Sequence, residues 1–159
     1  MYKFLLVLHI LAVVFGIGPM VLNGVYAAKA KKMGPPGQGA VMMVNFDVSL
    51  LAEKIIYLIP VFGILLVIQG HDDHNLSFGQ TWLGLAIVLY VVALGIAHAV
   101  MIPGGKAMQA LGAKFASGQG TPEDGARAGA LEKRLAAGGM TLNLLTVALI
   151  ALMVAQPGH

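Results

Sequence analysis

The sequence predicts an all-α integral membrane protein, a single up-down bundle of four transmembrane helices. Three observations predict it. Of the 159 residues, 58% are hydrophobic and only 11% are charged, whereas a soluble domain carries about 25% charged residues. The mean hydropathy is +0.82. Four stretches, approximately residues 4–28, 50–69, 81–102 and 138–156, supply the ~20 largely apolar residues that a ~30 Å hydrocarbon core requires. A disordered chain, a coiled coil and a conventional cytosolic enzyme are thereby excluded. The absence of cysteine excludes a disulfide framework, a thiol nucleophile and an iron–sulfur site. The pI near 9.3 comes without a dense basic stripe or an aromatic platform, so nucleic acid is not an expected partner.

The first span follows Lys3 and could be mistaken for a secretory signal, because Val25-Tyr26-Ala27 fits a cleavage pattern. Its apolar run is far longer than the ~7–15 residues of a signal core, so it reads as a retained anchor. Residues 33–39, Met-Gly-Pro-Pro-Gly-Gln-Gly, form a breaker between helical segments. Residues 40–54 then lead into the second span, with Asp47, Glu53 and Lys54 expected near the headgroups. The third span holds no formal charge, and Pro103-Gly104-Gly105 is expected to end it. Trp82 near its start fits an interface anchor. Thr121-Pro122-Glu123-Asp124 reads as a helix start, with Thr at the N-cap, Pro at N1 and acids in the first turn. Residues 122–137 lead into the fourth span.

Nine of the ten basic residues lie in the first and third connections. The positive-inside rule therefore places those connections in the cytoplasm and both termini outside it, as for a multi-pass protein of the bacterial inner membrane.

Polar groups within the spans are few: His9, Asn23, His98, Asn143 and Thr146. No Asp, Glu, Lys or Arg is expected deep in a span, which weighs against a proton-coupled pump. His9 shares a helix face with Ala12 and Gly16, a small-residue surface that admits a neighbouring helix. It equally leaves room for a haem with His9 as axial ligand. Gly95 and Ala99 offer a similar small surface on the third helix. His98 is the other intramembrane histidine, but the two do not suit one haem. At 1.5 Å per residue they lie ~9 Å and ~27 Å from the same membrane surface, too far apart for one iron. The loop Gly70-His71-Asp72-Asp73-His74-Asn75 concentrates imidazole and carboxylate. His71, Asp72, Asp73 and His74 fit either a metal site or a turn rich in Asp, Asn and Gly. The nine methionines scatter and read as apolar filler rather than a copper path.

The opening Tyr2-Lys3-Phe4-Leu5-Leu6-Val7-Leu8-His9-Ile10-Leu11-Ala12, with Gly16 and the basic Lys29-Ala30-Lys31-Lys32, resembles a family of small four-span bacterial integral membrane proteins. Leu58-Ile59-Pro60-Val61-Phe62-Gly63, Gln69-Gly70 and the closing Leu152-Met153-Val154-Ala155-Gln156-Pro157-Gly158 are similar to its other segments. That likeness implies the fold but no established activity. A looser likeness, through the early Leu8-His9, runs to copper-resistance D proteins and to HemJ-type protoporphyrinogen oxidases. The latter imply haem at His9 and a functional lysine in a later helix, and the third span here holds no lysine.

The expected function is a non-enzymatic membrane protein embedded in lipid that packs against other membrane subunits or itself. An accessory part of a respiratory or other energy-transducing complex fits that description, with no cofactor expected. The alternative is a haem b- or copper-binding redox or transport protein using His9 with His71 and His74.

Overall fold

The computed structural model describes residues 1–72 and 74–158, with the backbone alone at positions 35 and 36. Asp73 and His159 lie outside the described residues. Seven α-helices and one π-helical turn, and no strand among the described residues, join into four long rods. The first is α1 (Tyr2–Val21) with α2 (Asn23–Lys31), and the second is α3 (Gly34–Ile56) with α4 (Leu58–Gln69). The third is α5 (Thr81–Ile96), the π turn (Ala97–Met101) and α6 (Ile102–Ala116), and the fourth is α7 (Pro122–Ala155). Each rod is long and apolar enough to cross a membrane.

The breaks between rods have local causes. Gly34 takes φ +76°, the left-handed region open to glycine, and turns the chain into α3 within two residues. Prolines then occupy the first positions of α3, where a missing N–H costs nothing. The breaker expected over residues 33–39 is thus a tight turn followed by helix. At α7, Thr121 Oγ1 accepts from the Asp124 N–H at 3.2 Å, and Asp124 Oδ2 accepts from the Thr121 N–H at 3.2 Å. This capping box starts a helix of 34 residues, about 51 Å long. It overshoots the hydrocarbon core by more than two turns and ends at Gln156 (φ +39°) before Pro157.

Pro103 does not end the third rod as expected. It sits at the second position of α6, and the Ile102 N–H reaches back five residues to the Ala97 carbonyl. The helix widens by one residue to pass the ring instead of stopping, since a break inside lipid would strand backbone polar groups. Gly104 and Gly105 serve close approach: a side chain at either would collide with Leu135 or Phe46.

The rods pair. α1 packs on α3 and α4 and α2 on α3, while α5, the π turn and α6 pack on α7. Between the two pairs the contacts are sparser, through α3 with α6 and through α7 with α1 and α2. At one end, Val67, Leu76, Trp82 and Leu83 form a buried cluster covered by Tyr2 and Leu152. Both termini therefore meet the connection of residues 70–80 there. Trp82 is buried in this cluster with Val67, Leu76 and Leu83 rather than anchored at the lipid surface. The opposite end carries the basic connections, joined by ion pairs Lys31–Glu132 and Lys114–Asp124.

Candidate functional site

The site grows from two proline-induced irregularities that face each other. Pro60 lacks the N–H that would close onto the Ile56 carbonyl in a regular helix, and the helix is interrupted at Tyr57. The Tyr90 hydroxyl of α5 fills that gap, donating to the Ile56 oxygen at 3.2 Å. One turn nearer the basic end, Glu53 and Tyr57 stand four residues apart on one face, and Tyr57 Oη donates to Glu53 Oε1 at 2.9 Å. The π turn forced by Pro103 presents His98 to the same pair. Its Nε2 lies 2.7 Å from Tyr57 Oη and 3.1 Å from Glu53 Oε1. Its Nδ1 lies 2.9 Å from the Leu94 carbonyl. A carbonyl only accepts, so the Nδ1 carries the hydrogen. The Glu53 side chain is 15% exposed and that of His98 49%. Glu53, Tyr57 and His98 thus join two helix pairs that otherwise touch sparsely.

The other expected residues fall elsewhere. The Nδ1 of His9 lies 3.0 Å from the Ile59 carbonyl. Gly63 makes room for its ring, since a Cβ there would already touch His9 Cε1 at 3.4 Å. His9 and His98 therefore contact different residues of the second rod, Ile59 against Tyr57 and Glu53, and share no partner among these contacts. Ala12 and Gly16 are buried. A Cβ at Gly16 would meet Ile56 Cγ1 at 2.9 Å and its backbone nitrogen at 3.2 Å. Gly95 and Ala99 lie on an exposed face, with nothing within 4 Å of a Cβ at Gly95. The buried face of α5 is instead Trp82, Leu83 and Ala86. A further polar link joins the first two rods: Asn23 donates to Ser49 Oγ at 3.1 Å.

In the connection of residues 70–80, His71 Nδ1 bonds the Leu76 carbonyl at 3.0 Å, and the His74 ring stacks on Tyr2 with centroids 4.0 Å apart. Asp72 is exposed. Among the described residues, no three of His, Asp and Glu gather as a metal-binding group. At the basic end, outside the apolar part of α7, the Lys114 ammonium and then the Thr121 N–H hold the Asp124 carboxyl below its usual value. Sequence reasoning missed Glu53 and Tyr57 as site residues. The available signal was their four-residue spacing just before Pro60, matched by Pro103 five residues after His98.

Four long apolar rods, the first three linked by hydrogen bonds and the fourth by ion pairs at the basic end, define an integral membrane helical bundle. The chain belongs to the family described as "Predicted integral membrane protein (DUF2269)", whose model matches residues 3–157. It matches no curated protein and no solved structure.

Proposed function

We propose that this protein is a non-enzymatic, accessory subunit that packs against other subunits of a larger membrane assembly, with its basic end in the cytoplasm. The observation that supports this reading is the thinness of its own core. Among the described residues no large side chain is fully buried, and none of the most apolar stretch of α7 is buried within the chain. In lipid, helices associate through close van der Waals contact and hydrogen bonds rather than hydrophobic drive. A bundle with so few buried side chains gains stability from further helices. Its interior polar groups fit the same reading, since His9, Asn23 and Tyr90 are engaged in holding rod to rod.

The test is the native mass of the protein extracted in mild detergent at its natural expression level. A particle well above the 16.6 kDa chain, with defined subunits in fixed ratio, is expected. Adding bulk to the α7 face of Leu144 and Val147 should reduce it to the single chain. A stable single chain in the starting extract would refute the reading. The haem- or copper-binding alternative at His9, His71 and His74 is tested on the same material by its absorption spectrum and metal content. The orientation is tested by labelling residues 70–80 from outside sealed cells.

A further inference from the structure

Glu53, Tyr57 and His98 bring three donor atoms into one small triangle, with edges of 2.7, 2.9 and 3.1 Å. A Glu53 carboxylate presents only lone pairs. The His98 ring directs its Nδ1 hydrogen at the Leu94 carbonyl 2.9 Å away, so Nε2 is the ring atom that faces the cluster, and Tyr57 carries one hydrogen. The positive charge that three such atoms attract is met either by a proton on Nε2, which makes the His98–Glu53 contact an ion pair, or by a metal ion held by all three.

The dimensions say which kind. Metal–nitrogen and metal–oxygen bonds of ~2.0–2.2 Å set adjacent donors of an octahedron ~2.8–3.1 Å apart, and those of a tetrahedron ~3.3–3.6 Å apart. The observed triangle has the size of one octahedral face. Its donors, imidazole nitrogen with carboxylate and phenol oxygens, suit first-row divalent ions. The Nδ1–H bond to a backbone carbonyl is the outer contact that metal-ligating histidines make to fix their tautomer. The exposed sides of Tyr57 and His98 leave the opposite octahedral face open to water or another ligand. A single π turn inside an α-helix is rare and frequently lies at a functional position. Here its effect is to aim His98 at Glu53 and Tyr57.

The geometry points to a divalent transition-metal site of octahedral preference, formed by His98 Nε2, Glu53 Oε1 and Tyr57 Oη, bridging the two helix pairs. This goes beyond a packing role and does not depend on it.

The probe is Co²⁺, added to the full-length protein in detergent after chelator treatment and dialysis. Three results are expected. One Co²⁺ binds per chain with the weak visible absorption of six-coordinate cobalt. A far-shifted exchangeable proton signal in the NMR spectrum reports a coordinated imidazole N–H. His98→Gln removes that signal, and both His98→Gln and Glu53→Gln weaken binding by at least about tenfold. Tyr57→Phe, which removes the weakest donor, costs less. A His9→Ala/His71→Ala/His74→Ala variant keeps the site. Absence of Co²⁺ binding, the intense spectrum of tetrahedral cobalt, or equal binding by His98→Gln would each overturn the assignment. Should His98→Gln fail to fold, the wild-type spectrum decides: bound Co²⁺ without the shifted imidazole signal refutes ligation by His98.

Discussion

Gly16→Ala is the smallest change that tests how the first two rods are held together. A methyl group at this position would stand 2.9 Å from Ile56 Cγ1, 3.2 Å from the Ile56 nitrogen and 3.4 Å from its Cα. The side-chain carbon can rotate away, but the backbone atoms cannot, so the rods must part by a few tenths of an ångström. Overpacking of this kind costs about 1–3 kcal/mol. Replacing a helical glycine by alanine returns about 0.5–1 kcal/mol. Gly18 lies on the same helix with nothing within 4 Å of its Cβ position, so Gly18→Ala collects the gain without the clash. The two variants should therefore differ by about 1–3 kcal/mol, or about five- to 150-fold in unfolding equilibrium. Unfolding in mixed micelles by added dodecyl sulfate can be followed by Trp82, the one tryptophan, which packs with Val67 and Leu83. Equal midpoints for the two variants would refute the close approach at Ile56.

Three more outcomes follow from named contacts. Tyr90→Phe should cost about 0.6–1.7 kcal/mol by stranding the Ile56 carbonyl, and much less in a Pro60→Ala background, where the restored N–H takes over. The same unfolding assay, run as a double-mutant cycle, measures that coupling. The lowered pKa of Asp124 means that the start of α7 is held above the ordinary carboxylate value. The hold is lost as pH falls through the depressed one. Amide exchange at Thr121 and over residues 123–126 should therefore accelerate on acidification, and Lys114→Ala should move that onset to higher pH. Thr121→Ala should loosen the same turn at all pH values by about 1 kcal/mol.

What the sequence made legible was local. Four apolar runs announce four rods, and Thr121-Pro122-Glu123-Asp124 announces the start of α7, because each signal lies within a few consecutive residues. Ala12 and Gly16 could be marked as a small surface, but so could Gly95 and Ala99, which face outward. A helix apolar on every side gives no polar face to say which small residues turn inward. The candidate site was hidden for a different reason. Tyr57 and His98 are 41 residues apart, and their meeting depends on a one-residue shift of helical register at the π turn. Read from composition, Glu53 belongs with the headgroup charges, and only His98 makes it part of a cluster. Pro103 reads as a terminator by rules drawn from water, where exposed backbone can bond to solvent. Within a lipid span the widened turn is the cheaper solution.

The bond from Tyr90 to the Ile56 carbonyl also sets an order of events during synthesis. The first helix pair, residues 1–69, is complete before Tyr90 has been made. Until then its interrupted turn holds a carbonyl deprived of an in-helix donor by Pro60, beside Glu53 and Tyr57, which still lack His98. The early half of the chain thus holds its own bonds from His9 to Ile59, Asn23 to Ser49 and Tyr57 to Glu53, while the Ile56 carbonyl still waits for its donor. Arrival of the third rod closes both gaps at once, so the two halves mature together rather than in succession.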